Sequence, residues 1–197
     1  AEAPQSGATI IGKIGKDTVP GRLGRWITSQ IEERDGKGED VHLQAKGNLL
    51  YKALKSTRLA ARMMEDKGAL LAVTEWKELE SKGGGNVSTL ADMTFRLMPA
   101  AFSWDAEAAT LRASKDSVVG KMAGAIAARL RDKGQVIVAG LGAPAMSKAM
   151  KAVMLSQVFL QTRDDPKAIV GCSPLFEEMP TSEETSGQVL KLRIARL

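Results

Sequence analysis

The run Lys16-Asp17-Thr18-Val19-Pro20-Gly21-Arg22 in the first half is echoed 99 residues later by Lys115-Asp116-Ser117-Val118-Val119-Gly120-Lys121. No other feature of the chain constrains its fold as much, because self-similarity at a fixed spacing means that one supersecondary unit is built more than once. Each copy follows a short β-type run, Ala8 to Ile14 in the first half and Ala109 to Ala113 in the second, and each precedes an amphipathic helical pattern. Thr18 and Ser117 stand where helix N-caps are expected, since a hydroxyl there can accept from a free N–H of the first turn.

The parallel continues past that helix. Val41-His42-Leu43-Gln44-Ala45 corresponds to Val136-Ile137-Val138-Ala139-Gly140, Gly47 to Gly142, and Ala53-Leu54-Lys55 to Ala149-Met150-Lys151 inside a second helix. Leu70 to Trp76 and Thr94 to Met98 read as strands, as do Lys167 to Cys172 and Gln188 to Ile194. Each half is thus β-α-β-α-β-β, and the expected fold class is α/β (an α+β sandwich) with tandem domains at 8–98 and 109–197. Pro99 to Ala108 breaks the periodicity and marks a linker, 99–108. A linker that short holds the halves at high effective concentration, so they are expected to pack as an internal pseudo-dimer. Gly83-Gly84-Gly85 and the run from Thr181 to Gly187 fall between the last two strands of their halves and are expected to be hairpin tips.

Charge is distributed unevenly. The net value is +5 with a pI near 9.4, which suits a polyanionic partner without requiring one. Residues 13 to 25 carry Lys13, Lys16, Arg22 and Arg25 against Asp17 alone, and residues 46 to 62 carry Lys46, Lys52, Lys55, Arg58 and Arg62 with no acid. Cations near two helix starts join free backbone N–H groups and the positive helix end, an arrangement suited to phosphate. A solvated helix face is the competing reading for Lys55, Arg58 and Arg62, because Leu50, Leu54, Thr57 and Ala61 form the opposite stripe. With four Phe, three Trp and one Tyr, stacking platforms for bases are few, so contact is expected to lean on charge and shape. That favours RNA or structured nucleic acid over sequence-specific DNA reading.

The stretch from Ile14-Gly15-Lys16-Asp17 to Ile27, followed by Val41 to Lys55 with its Ala45-Lys46-Gly47, resembles the Alba pattern of lysine loop, helix, strand ending in Ala-Lys-Gly, and lysine-bearing helix. The second half is similar to the stage V sporulation protein S type in Ala113-Ser114-Lys115, in Arg129-Leu130-Arg131-Asp132-Lys133-Gly134, and in Gly140-Leu141-Gly142-Ala143 followed by Ala149-Met150-Lys151-Ala152-Val153. The resemblance implies a small dimeric binder of RNA or DNA without catalytic activity. Lys16, Lys46 and Lys52 fall on motif positions, and the candidate contacts of the first half are Lys13, Lys16, Arg22, Lys46, Asn48, Lys52, Lys55 and Arg58. Those of the second are Lys115, Lys121, Lys148 and Lys151. Leu141 stands where Lys46 stands, so the first half is expected to carry most of the affinity.

Other chemistry finds little support. Gly140-Leu141-Gly142 after an apolar run could open a dinucleotide-binding fingerprint, but its strand and helix already belong to the repeat. Cys172, the single cysteine, excludes an internal disulfide and reads as a small buried residue. His42, the single histidine, alternates with Val41 and Leu43 and is expected on the outer side of its sheet. Trp26, the Met63-Met64 pair and Trp76 read as core packing. No cofactor, no metal and no turnover are expected, nor any membrane insertion, since no run approaches the ~18 apolar residues a spanning helix needs. The alternative function is a structural component that contacts other proteins of a large assembly. The chain opens at Ala1 without an initiator methionine, which admits either a processed N-terminus, such as removal of a chloroplast or mitochondrial transit peptide leaves, or a piece of a longer sequence.

Overall fold

The computed structural model of the chain describes residues 9–34, 40–79, 88–163, 165–179 and 187–197. The first half comprises β1 (Ile10–Lys13), α1 (Pro20–Glu33), β2 (Val41–Lys46), a 3-10 turn (Gly47–Leu49), α2 (Leu50–Met63), β3 (Leu70–Leu79) and β4 (Ser88–Leu97). The second comprises β5 (Thr110–Ala113), α3 (Val119–Lys133), β6 (Gln135–Leu141), α4 (Gly142–Arg163), β7 (Val170–Met179) and β8 (Gly187–Arg196). The expected mixed α/β architecture and element order are both present. The hairpins run longer than the strand patterns predicted, because pairing continues through Lys77↔Leu90 to Leu79↔Ser88 and through Glu177↔Val189 to Met179↔Gly187. The expected hairpin tips lie outside the described residues, apart from Gly187, which opens β8. No helix among the described residues is long and apolar enough to cross a membrane.

All the strands join one eight-stranded sheet in the order β1-β2-β4-β3-β7-β8-β6-β5. Within each half the first two strands are parallel and the others antiparallel, with the same order on either side. The seam is the antiparallel contact of β3 with β7 at Ala72↔Cys172 and Val73↔Gly171. Thr74 lies opposite Met93 and Pro174 opposite Leu192, while Met93 and Leu192 face Leu43 and Val138 in matching registers. Thr74 and Pro174 are therefore counterparts, and so are Ala72 and Cys172, which pair with each other. A local two-fold passes between them.

A single apolar cluster runs through both halves. It takes Ile27 and Ile31 from α1, Leu50 and Leu54 from α2, Ile126 and Leu130 from α3, and Met146 and Met150 from α4, over inward residues of the strands. Cys172 belongs to it as expected, with its Sγ 4.0 Å from Met150 Sδ. Trp26 packs on its edge, over Gly12, where an added Cβ would lie 2.8 Å from the indole. Of the methionine pair only Met64 is buried, and Met63 is 42% exposed with its sulfur accepting from Thr28 Oγ1.

Neither expected N-cap forms. Val19 and Val118 occupy the cap positions of α1 and α3 without a side-chain bond. Thr18 Oγ1 instead accepts from the N–H of Gly15 at 2.8 Å, and Ser117 Oγ from that of Ser114 at 2.9 Å. The hydroxyls close the strand-to-helix loops upon themselves, and in α1 a proline in the first turn removes one N–H that a cap would have served.

Gly68 has φ +142°, and a Cβ there would lie 2.4 Å from the carbonyl oxygen of Met98. Gly68→Ala should lower unfolding free energy by about 1–3 kcal/mol from backbone strain alone. Gly21→Ala in α1, with nothing within 4 Å, should be neutral or stabilising. Chemical denaturation of the two variants checks both.

Candidate nucleic-acid interface

β1 and β2 run parallel, so their carboxyl ends release the loop to α1 and the turn to α2 at the same edge of the sheet. In such a pair the space beyond the strand ends is where ligands gather. Lys13 closes β1 opposite Gln44, Lys46 closes β2 opposite Leu90, and the two line one recess of about 360 Å³ with Ile14 and Ala45. Lys16 stands exposed on the adjoining loop, and Arg22 and Arg25 are exposed on α1. None of these five cations has an ion-pair partner among the described residues.

The remaining candidates of the first half are not free in the same way. Lys52 donates from its ammonium to the carbonyls of Lys16 and of Thr18, the latter at 3.3 Å, and so holds the lysine loop from behind. Lys55 lies over the Tyr51 ring at 4.8 Å and the Phe176 ring at 6.0 Å, and Arg58 turns into a different cleft, between α2 and β8. The side chain of Asn48, in the 3-10 turn, lies outside the described residues.

The second half repeats the scheme. Lys115 and Lys121 are exposed, Lys148 donates to Ser117 O at 3.1 Å as the counterpart of Lys52, and Lys151 lies over Trp76 at 5.8 Å. Lys55 thus reaches an aromatic ring of the second half and Lys151 one of the first, on counterpart residues Phe176 and Trp76. Each such contact contributes about 0.5–1 kcal/mol where solvent reaches it. Trp76 is core-packed as expected, with the Lys151 ammonium over its face.

Lys52→Met and Lys148→Met should each cost about 1 kcal/mol, because a charged hydrogen bond to the loop is lost. Amide exchange should rise in residues 15–18 for the first variant and 114–117 for the second.

The recess at the carboxyl ends of β5 and β6 differs in lining. It measures about 640 Å³ and is lined by Arg112, Lys115 and the Lys191–Glu177 ion pair, with Gly140, Leu141, Pro144 and Val189 forming an apolar wall. Arg112, opposite Ala139 as Lys13 is opposite Gln44, is a cation outside the expected contact set. Its signal was available in the strand that precedes the repeated motif. Gly140 packs closely on its neighbours, since a Cβ would lie 2.5 Å from Met146 Cε, the end of a flexible chain, and 3.0 Å from the Ala113 carbonyl oxygen. Gly142, at φ +76°, turns the strand straight into α4, as Gly47 opens the turn after β2.

A charge reversal separates the two halves on the strands beside these recesses. Asp92, 3% exposed, pairs with Lys77 and with His42 Nδ1 at 2.9 Å. Its counterpart Lys191 pairs with Glu177 at 2.6 Å. His42 therefore lies on the outer side of its strand, held by a carboxylate. Cys172 lies in the seam with its thiol pKa pushed up to about 12 by burial, so it is protonated at neutral pH. No group of three His, Cys, Asp or Glu side chains placed to hold a metal occurs among the described residues.

Residues 109–196 match the family model described as stage V sporulation protein S. The matched segment covers the whole β5-to-β8 half and includes Arg112, Lys115, Gly140 and Lys148. No match was found among curated proteins.

Proposed function

We propose that the chain is a non-enzymatic nucleic-acid-binding protein with an Alba-like unit in each half, holding RNA, ahead of any particular DNA sequence, by its phosphate backbone. The observation that carries this reading is the convergence of Lys13 and Lys46 on one recess, beside exposed Lys16, with no ion-pair partner for any of the three among the described residues. Three cations at one strand edge fit successive phosphates, and they are held there by backbone pairing and by the Lys52 tether, so little ordering is left to the moment of binding. Likeness of the second half to the sporulation family supports the Alba-like reading, and the equal strand order of the first half extends it. The test is fluorescence-anisotropy titration with single-stranded RNA and duplex DNA at several salt concentrations, where binding should weaken steeply with salt and little with sequence.

A second reading rests on Leu141. It stands where Lys46 stands and is 59% exposed at an apolar wall, which suits contact with another protein of an assembly. Absence of salt-dependent binding to either nucleic acid would favour it.

A further inference from the structure

Away from both strand edges, a cleft of about 360 Å³ opens between α2, the 99–108 segment and β8. Arg58 and Arg193 both face it, with Trp104 and Phe102 as one wall and the turn 65–70 as another. Arg193 lies with its guanidinium 4.8 Å from the Trp104 ring centroid, and its Nε is buried without an acceptor among the described residues. Neither arginine forms an ion pair among the described residues. Glu65 and Asp66 line the same cleft without reaching salt-bridge distance of either.

Two guanidiniums facing one cleft are an unfavourable arrangement for a protein left to itself. Burial lowers the pKa of Arg193 and the nearby Arg58 charge lowers it further, while Glu65 offsets part of this. Burial also lowers that of Arg58, ahead of repulsion from Arg62. A buried polar group normally finds a partner, and a guanidinium fork matches a phosphoryl group in geometry as well as charge. The arrangement is also particular to this place. The counterpart of Arg193 in the first half is Thr94 and that of Arg58 is Met154, so the fold itself does not require either cation. The walls are fixed, since Phe102 meets Trp104 edge-on at 5.1 Å, and Gln135 donates to Ser103 O while its side-chain oxygen accepts from the Asp105 N–H.

We propose that this cleft is an anion site for a phosphate monoester on a ligand of nucleotide size or smaller, gripped by Arg58 and Arg193 against the Trp104 wall. The volume sits at the low end of small-ligand pockets, roughly 300–1,000 Å³, which admits one nucleotide and excludes a duplex.

The experiment follows tryptophan fluorescence of the full chain, Trp104 being in the cleft, against inorganic phosphate, a nucleoside 5′-monophosphate and the unphosphorylated nucleoside, with chloride holding ionic strength constant. Saturable change with the two phosphates and none with the nucleoside is expected. Arg58→Gln should weaken phosphate binding about ten-fold or more, since it removes a charge-assisted bond. Arg193→Gln should do the same. Should Arg193→Gln fail to fold, Arg58→Gln decides alone, because Arg58 is only half-buried on a helix face. Lys13→Ala with Lys46→Ala should keep the Arg58-dependent part of the phosphate response, which separates this site from the strand-edge one. Competition by 5′-phosphorylated RNA over the 5′-hydroxyl strand would assign the monoester to a strand end, and equal competition would assign it to a free small molecule. The proposal is overturned by no change up to about ten times a millimolar Kd, or by full binding in Arg58→Gln.

Discussion

Expressed apart, residues 9–98 and 109–197 should not yield two stable monomers, and mixing them should restore a one-to-one complex. The cluster that fills the molecule is continuous across the seam, so each half alone exposes the β3 or β7 edge and the apolar residues above it. An uncovered strand edge with apolar neighbours recruits another chain. Because Ala72 and Cys172 are counterparts, each half can try to pair with its own copy, but side-chain sizes oppose this. Gly171 lies opposite Val73 with Leu71 packed where its Cβ would be, only 2.9 Å away. The counterpart of Gly171 is Leu71 itself. Two first halves would therefore set leucine where glycine fits, and overpacking of this kind costs about 1–3 kcal/mol. Two second halves would leave an unfilled leucine site, which costs about 2–5 kcal/mol. Native mass spectrometry should show the mixed pair dominating both self-pairs. Two soluble, non-interacting monomers would sink the pseudo-dimer.

What the sequence made legible was the order of elements, because apolar spacing and the recurring lysine loop are local signals. It could not show where lysine side chains end. Lys52 and Lys46 look alike as cations near a helix start, yet one ammonium is tied to the carbonyls of Lys16 and Thr18 while the other borders an open recess. Lys55 reads as either a contact or a solvated helix residue, and Lys151 as a contact, until the seam brings Phe176 and Trp76 beneath them. Strand ends were missed for a related reason, since the expected strand stops at Trp76 while Lys77, Glu78 and Leu79 continue the hairpin ladder. Arg193 carried no motif at all. Its meaning comes from Trp104, thought of only as linker, and from Arg58 on a helix of the other half.

Lys13→Ala with Lys46→Ala should cost the chain most of its affinity for RNA at moderate salt, and the loss should show in the salt dependence as well as in Kd. Each phosphate neutralised releases counterions, so two lost contacts should flatten the slope of log K against log salt by about 1.4 on single strands and 1.8 on duplex DNA. Affinity should drop by a similar factor across unrelated sequences, because backbone contacts carry no base information. Arg112→Ala with Lys115→Ala removes the counterparts of Lys13 and Lys16 from the second half. There Leu141 replaces the third cation and Lys191 is paired with Glu177, so Arg112 and Lys115 lack the neighbour that lets the first half span successive phosphates. This pair should flatten the slope by less than half as much. Lys55→Ala with Lys151→Ala is the informative contrast, since both ammonium groups are engaged by aromatic rings. Stability should fall while the salt slope stays at the wild-type value. Equal slope losses from the two strand-edge pairs would refute the asymmetry between halves, and a slope change from the Lys55 and Lys151 pair would return those residues to the binding surface.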